Sequence, residues 1–217
     1  MLGPVQRVEH GDDGTGRVRP ALLWRSPEPV RAISTAVLGG GLGVRTWVIN
    51  AEVTADYQCE DPAAHAAAIG DDLGQPAGQG IVLLTAAPVL DVAEAADGGT
   101  RCHATVGVSL PTWAAAPDGA RSSWQPGTIN LVCWVPAAMA DAALANLLVT
   151  ATEAKTQTLV EAGVPGSGTA SDAVAICCQP GATEPYGGPR SPWGARLARA
   201  VHEAVAVGLD RYMAKLR

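Results

Sequence analysis

The chain has 217 residues, of which 47% are hydrophobic and 17% charged, and its formal net charge is −6. The apolar fraction excludes an intrinsically disordered protein, because such chains lack the apolar residues that a core needs. The acidic balance argues against nucleic acid or an anionic membrane as partner, since both attract positive charge.

The chain shows no sign of secretion or of membrane insertion. Its first residues hold no apolar stretch of signal-peptide length, and no uncharged apolar stretch reaches the ~20 residues that span a bilayer. The five cysteines, at positions 59, 102, 133, 177 and 178, show neither a CxxC pair nor a zinc-type spacing with histidine. Because most of them lie in apolar runs, we expect buried thiols in a cytoplasmic protein, and no bound metal ion.

Strand signals dominate the first half of the chain. Residues 1–20 are expected to be a loose N-terminal arm, and β-branched or aromatic runs then predict strands over 21–26, 30–38 and 44–53. Asp61 and Pro62 are typical of a helix start, which predicts a helix ending near Leu73. Further strands are predicted over 80–86 and 102–110.

Helices and strands alternate in the second half. Residues 111–126 are irregular but contain two tryptophans, which is typical of a functional loop. A strand over 128–135, a helix from Pro136 to Gly163, a strand over 173–178 and a helix starting at Ser191 and Pro192 follow. The sequence therefore predicts one α+β (mixed α/β) domain over 1–217, with a mixed, largely antiparallel sheet and helices packed on it.

Two charged residues interrupt the apolar pattern of the helix predicted over 136–163. Lys155 falls in the middle of a stripe formed by Leu144, Leu147, Leu148, Ala151 and Leu159. Glu153 falls near Val149 and Val160 on the opposite side, so we expect this helix to be packed between two layers. A buried charge costs several kcal/mol unless it is paired, so each residue needs a partner or a function. A snorkelling side chain at the helix edge is the alternative for Lys155.

Two glycine-bounded turns carry polar side chains. Thr128 and Asn130 follow Gly127 and share one face of the strand that begins there. Residues 168–172, with the sequence GTASD, combine flexible backbone with two hydroxyls and a carboxylate, so they could direct N–H groups at an anion. Strand capping for the first turn, and a turn closed by Asp172 on its own backbone for the second, remain open.

The order of these motifs along the chain resembles the adenosylcobinamide amidohydrolase family. The resemblance covers about residues 31–209 and rests on the following segments: STAVLGGG (34–41), Asn50, Tyr57, Asp61-Pro62, LLTAA (83–87), GTIN (127–130), TEAK (152–155) and GTASD (168–172). The chain departs from the family over 107–111, where it reads GVSLP in place of a Gly-Ser-Asn-like run.

The resemblance implies a corrinoid substrate. The implied reaction is hydrolysis of the amide that joins aminopropanol to the corrin ring of adenosylcobinamide, which gives adenosylcobyric acid in cobinamide salvage for cobamide (vitamin B12) synthesis. The substrate carries its own cobalt, so we expect no cofactor. A macrocycle needs aromatic pocket walls, for which Trp113, Trp124, Tyr186 and Trp193 are candidates, with loop anchoring as their alternative role.

The motifs also suggest which residues act in the reaction. Glu153 or Asp172 would activate water or a hydroxyl, and Lys155 would stabilise negative charge or protonate the amine. Thr128 and Asn130 would position the scissile amide. A threonine nucleophile at 128 or 169 stays open. The other expected substrate contacts are Asn50, Thr85, Trp113, Trp124, Thr169 and Ser171.

Two other functions stay open at this stage. One is hydrolysis of a different amide by a threonine nucleophile, and the other is corrinoid binding without turnover. Homo-oligomer formation also stays open.

Overall fold

A computed structural model describes residues 1–11, 17–117 and 127–216. In these residues the order of elements is β1 (Gln6–Gly11), β2 (Val18–Ser34), β3 (Gly41–Glu52), α1 (Pro62–Asp72), β4 (Gly80–Thr85), β5 (Ala93–Asp97), β6 (Thr100–Val106), β7 (Ile129–Val135), α2 (Asp141–Glu161), β8 (Ala173–Cys178) and α3 (Pro192–Ala214). None of these helices has the length and apolar character that crossing a membrane requires.

All eight strands belong to one sheet. Its order is β4-β3-β2-β8-β7-β6-β5, and β1 adds to β2 beside this path. The pairs β3–β4 and β7–β8 are parallel, whereas the other five pairs are antiparallel. The predicted α+β class, with a mixed, largely antiparallel sheet and packed helices, is therefore confirmed.

The sheet curls so that its two halves pack against each other. The inner faces of β2–β4 and of β7–β8 share one apolar cluster, which includes Trp24, Leu83, Val132 and Trp134. On the outside, α2 and α3 cover β6–β8, and α1 covers β2–β4. Alternate residues of each strand thus serve different cores, as the two-residue period of a strand requires.

A buried polar layer joins the two halves of the sheet where the inner cluster ends. The Asn130 side chain on β7 donates to Asn50 Oδ1 on β3 at 2.8 Å and to the Leu84 carbonyl on β4 at 3.0 Å. Asn130 Oδ1 accepts from the Ala173 N–H at 3.2 Å, and Asn50 donates to the Thr105 hydroxyl at 3.0 Å. The Asn130 amide group thus links β7 to its neighbour β8 and to β3 and β4, which are not its neighbours in the sheet, and Asn50 links β3 to β7 and β6.

The N-terminal residues are not a loose arm where the structure describes them. Residues 6–11 form β1, which pairs with residues 18–23 of β2. The two strands predicted over 21–26 and 30–38 are one long strand whose register with β3 shifts between Arg25 and Val30. The pattern did not indicate β5, because its sequence AEAAD contains no β-branched or aromatic residue.

The helix starts follow the capping pattern in two of three cases. Asp61 Oδ1 accepts from the Ala64 N–H at 2.9 Å, and Ser191 Oγ accepts from the Gly194 N–H at 3.0 Å, as predicted. In contrast, α2 begins at Asp141 and not at Pro136. The intervening residues bind another segment, because the Ala140 N–H donates to the Glu184 carbonyl at 2.9 Å.

Substituting Asn130 tests how much the polar layer contributes to the stability of the fold. We expect Asn130→Ala to lower the free energy of unfolding by roughly 2–4 kcal/mol, because Asn50 Oδ1, the Leu84 carbonyl and the Ala173 N–H lose their partner in a buried place. Urea unfolding followed by circular dichroism measures this change. The control is Asn146→Ala on the exposed side of α2, expected within about 0.5 kcal/mol of wild type. Equal effects of the two substitutions would contradict this role of the layer.

Candidate active site

A pocket of about 870 Å³ lies where the cleft between the two sheet halves meets the surface. Its lining comes from residues 35–37 after β2, residues 53 and 57–60 after β3, residues 83–86 at the end of β4, and residues 128 and 171–173. Along β7, Asn130 lies between Val132 of the inner cluster and Thr128 of the pocket. The volume falls in the upper part of the range for pockets that hold small-molecule ligands.

The Asp172 carboxylate accepts four hydrogen bonds at the edge of this pocket. Oδ1 accepts from the Ile129 N–H at 2.8 Å and from the Thr169 hydroxyl at 2.5 Å. Oδ2 accepts from the Thr169 N–H at 3.1 Å and from the Lys155 ammonium. A carboxylate offers about four lone-pair positions, so these donors fill them. Asp172 therefore ties the turn before β8 to the start of β7 and to α2.

Lys155 reaches Asp172 from the buried face of α2. Its residue exposure is 6%, and it forms an ion pair with Asp172. The predicted apolar stripe around it is confirmed in that four of its five members are buried and Leu148 is half-buried; the four are Leu144, Leu147, Ala151 and Leu159. Lys155 does not line the pocket, so it meets the site through Asp172.

Gly168, in the turn over 166–172, packs directly against this pair and leaves no room for a side chain of its own. A Cβ atom at Gly168 would collide with Asp172 Oδ2 and with Lys155 Nζ. The Gly168 carbonyl accepts from the Thr112 N–H at 2.8 Å, and the Ser167 N–H donates to the Thr112 carbonyl at 3.0 Å. The turn is thus held on both sides, by the ion pair and by the segment after β6.

Two hydroxyl groups form the polar floor of the pocket. Thr128 Oγ1 and Ser171 Oγ lie 2.8 Å apart, and the Ser171 hydroxyl also donates to the Gly127 carbonyl at 3.2 Å. Both residues line the pocket, Thr128 being buried and Ser171 exposed. The two predicted turns therefore do meet, and they present paired hydroxyls to the cavity.

Of four further predicted substrate contacts, one lines the pocket and three do not. Thr85 lines the pocket, and its hydroxyl accepts from the Ala87 N–H at 3.0 Å. Thr169 does not line the pocket, because its hydroxyl and its N–H both bind Asp172. Asn50 and Asn130 are buried in the polar layer and also lie outside the lining. The hydrogen bonds of these two asparagines give them a role in the fold, and their contact with substrate stays a prediction.

Glu153 does not have the environment predicted for it. It is exposed on α2, as are Val149 and Val160 on the same side of the helix. Against the part of the chain that the structure describes, only one face of α2 is packed. The two-layer prediction was therefore wrong, because an apolar residue pattern does not require that a second layer covers it. Successive residues turn by 100° along a helix, so Glu153 points away from the side on which Lys155 meets Asp172.

The predicted aromatic walls are also absent from the described lining. Trp113 and Tyr186 are exposed outside the pocket, and Trp193 packs on the outer core with Arg196 over its ring. Trp124 lies outside the described residues. The aromatic residue that does line the pocket is Tyr57, whose hydroxyl is 2.8 Å from His65 Nδ1.

Sequence reasoning missed the contribution of the connection between β3 and α1. This segment places Tyr57, Cys59 and Glu60 in the lining. Thr35, at the end of β2, was missed as well, and its hydroxyl accepts from the Val174 N–H at 3.0 Å. The available signal was a polar segment directly after a buried strand and before a helix cap, which is a common place for binding residues.

Metal binding receives no support from the described residues. No group of three or more histidine, cysteine, aspartate or glutamate side chains within residues 1–11, 17–117 and 127–216 is arranged to hold a metal ion. That the protein works without a metal stays a prediction.

The cysteines fall into two classes. Cys102, Cys133, Cys177 and Cys178 are buried, whereas Cys59 is exposed in the pocket lining. Burial raises the pKa of the Cys177 and Cys178 thiols, and hydrogen bonding with Cys102 raises that of Cys133. Because the thiolate is the reactive form, these buried thiols should be inert.

We expect an aromatic disulfide reagent at about pH 8 to modify one thiol per folded chain rapidly and all five in denaturant. The fast phase should disappear in Cys59→Ser, and Cys178→Ser is the matched control that keeps it. Absorbance of the released thiolate gives the count. Two or more fast thiols in the folded wild type would contradict the assignment.

Comparisons with known proteins agree with the resemblance seen in the sequence. The family model described as adenosylcobinamide amidohydrolase matches residues 2–216. A curated relative of that name from Halobacterium salinarum is 47% identical over 102 residues, which are 46% of this chain and 42% of the relative. A curated relative of the same name from Methanosarcina mazei is 33% identical over 94 residues, which are 39% of this chain and 47% of the relative. These matches span less than half of each relative, whereas the family model covers nearly the whole chain, which therefore belongs to the adenosylcobinamide amidohydrolase family.

Proposed function

We propose that this protein hydrolyses the amide that joins aminopropanol to the corrin ring of adenosylcobinamide, with release of adenosylcobyric acid and aminopropanol. The observation that carries the proposal is the pocket floor, where Thr128, Ser171 and Asp172 converge in motifs of the matched family. Cobinamide salvage, a cytoplasmic location and the lack of a cofactor beyond the cobalt of the substrate belong to this proposal.

The shape of the pocket suits an amide side arm of a large ring. Its inner walls carry Ala36, Leu83 and Ala173, so the interior is apolar above a polar floor. An aminopropanol amide is small enough to enter such a cavity, while the corrin ring would remain at the mouth. A corrin ring across the mouth would exclude water from the interior and so strengthen every hydrogen bond made to the amide there.

The floor supplies donors for the scissile carbonyl. Amide hydrolysis passes through a tetrahedral intermediate whose oxygen carries negative charge, and donors fixed before the reaction stabilise it. Within the described chain the Ser171 N–H donates no hydrogen bond, so it is free for the carbonyl oxygen. The Thr128 and Ser171 hydroxyls line the pocket, and their protons, which bond to Ser171 Oγ and to the Gly127 carbonyl here, would turn to the substrate when it binds. We assign these groups to binding of the carbonyl oxygen.

Lys155 and Asp172 act as positioning residues in this proposal. Asp172 has no open lone pair with which to take a proton, and Lys155 does not line the pocket. Together they hold the turn that carries Ser171, next to the strand start that carries Thr128. This assignment replaces direct contact of the ammonium group with the substrate.

Incubation of the pure protein with adenosylcobinamide tests the proposal. We expect aminopropanol and adenosylcobyric acid in equal amounts by mass spectrometry. Lys155→Met should lower kcat/KM by about 100-fold, since a misplacement of about 1 Å has effects of that size, and Lys155→Arg should recover part of the activity. Lys215→Met is the matched control, because Lys215 is exposed and pairs with Asp91 on the surface.

The outcomes separate the alternatives. Spectral binding of cobinamide without product would indicate a corrinoid-binding protein without turnover. Two fragments in the intact mass, from cleavage before Thr128, would favour a self-processed threonine nucleophile. Normal turnover by Lys155→Met would contradict the positioning role of the ion pair.

A further inference from the structure

We propose that the Glu60 carboxylate is the catalytic residue that takes the proton from the attacking water. The inference rests on the proposed function and adds to it a residue that is absent from the motifs by which the family was identified. It follows from which carboxylates line the pocket and from which of them has open lone pairs.

Two carboxylates line the pocket in the described residues, Glu60 and Asp172. The four donors on Asp172 leave it no lone pair for a water proton. Glu60, in contrast, accepts no hydrogen bond and forms no ion pair in the part of the chain that the structure describes. Its oxygens are therefore open to a water molecule in the pocket, which is what a general base requires.

The backbone around Glu60 is held in place although its side chain is exposed. The next residue, Asp61, caps α1 through the Ala64 N–H, and its carbonyl accepts from the His65 N–H at 3.1 Å. On the other side, Tyr57 stacks on His65 with ring centroids 5.4 Å apart, in addition to their hydrogen bond. Glu60 is thus anchored at both ends to the first turn of α1.

The two sides of the pocket then have separate tasks. Thr128 and Ser171 come from the β7 and β8 side of the curled sheet, and Glu60 comes from the β3–α1 connection. An amide whose carbonyl oxygen binds the hydroxyls would expose its carbon to a water held by Glu60. This division follows the general requirement for an oxyanion site and a base on either side of the reacting carbon.

The step balances without any further reactant. Water forms a bond to the carbonyl carbon while one of its protons passes to the Glu60 carboxylate. The protonated Glu60 then gives that proton to the nitrogen as the C–N bond breaks. The products are the carboxylic acid on the corrin ring and aminopropanol, and Glu60 returns to its ionised form.

The test compares Glu60→Gln with Asp56→Asn in the full chain. Glutamine keeps the size of the side chain but cannot take the proton, so kcat for adenosylcobinamide should fall by about 100-fold or more while KM stays within about 3-fold. Glu60→Asp should keep more activity than Glu60→Gln. Asp56 is an exposed carboxylate of the same connection outside the lining, so its variant should match wild type. Equal thermal unfolding midpoints would show that all variants fold.

Three results would overturn the inference. If wild type and Glu60→Gln release aminopropanol at similar kcat, Glu60 is not the base, although the proposed function stands. If only KM rises, Glu60 binds substrate and does not transfer the proton. If wild type releases no aminopropanol, the proposed function fails, and this assignment fails with it.

Discussion

The pocket floor depends on the ion pair between Lys155 and Asp172. Each of these charges alone would cost several kcal/mol in its buried place, so the two stabilise the fold only together. Three further hydrogen bonds from Ile129 and Thr169 complete the carboxylate shell. As a result, an α-helix, the turn before β8 and the start of β7 have one fixed arrangement, from which Thr128 and Ser171 reach the cavity.

The same strands supply both stability and chemistry, at different positions along their length. Their inner faces begin in an apolar cluster around Trp24 and Trp134, continue with the polar layer of Asn50 and Asn130, and end at the pocket. The polar layer joins strands that are not neighbours in the sheet, so it fixes how far the sheet curls. The width of the pocket follows from that curl, so these asparagines contribute to the geometry of the site from below its lining.

The sequence predicted those parts of the site that leave a local signal. A lysine in an apolar stripe, and a carboxylate after a glycine-rich turn, each demand an explanation, and the structure pairs them. The β8 boundaries and two helix caps were predicted for the same reason, because local backbone chemistry determines them.

The rest depends on contacts between distant segments. An asparagine on a buried strand, such as Asn130, can bind substrate or can hold the fold together. The sequence alone does not show that Asn130 Nδ2 lies 2.8 Å from Asn50 Oδ1. Glu153 was misplaced because no pattern tells whether a second layer covers a helix. Glu60 and Tyr57 lie in an irregular segment, and it is the curl of the sheet that brings this segment to the same pocket as Thr128.

A double-mutant cycle on Lys155 and Asp172 tests the central claim most directly. The measured quantity is kcat/KM for adenosylcobinamide in Lys155→Met, in Asp172→Asn and in the double variant. If the two residues act as one positioning unit, kcat/KM of the double variant should be about the same as that of the less active single variant. Losses that multiply in the double variant would contradict the claim and would indicate that each residue acts on the substrate independently.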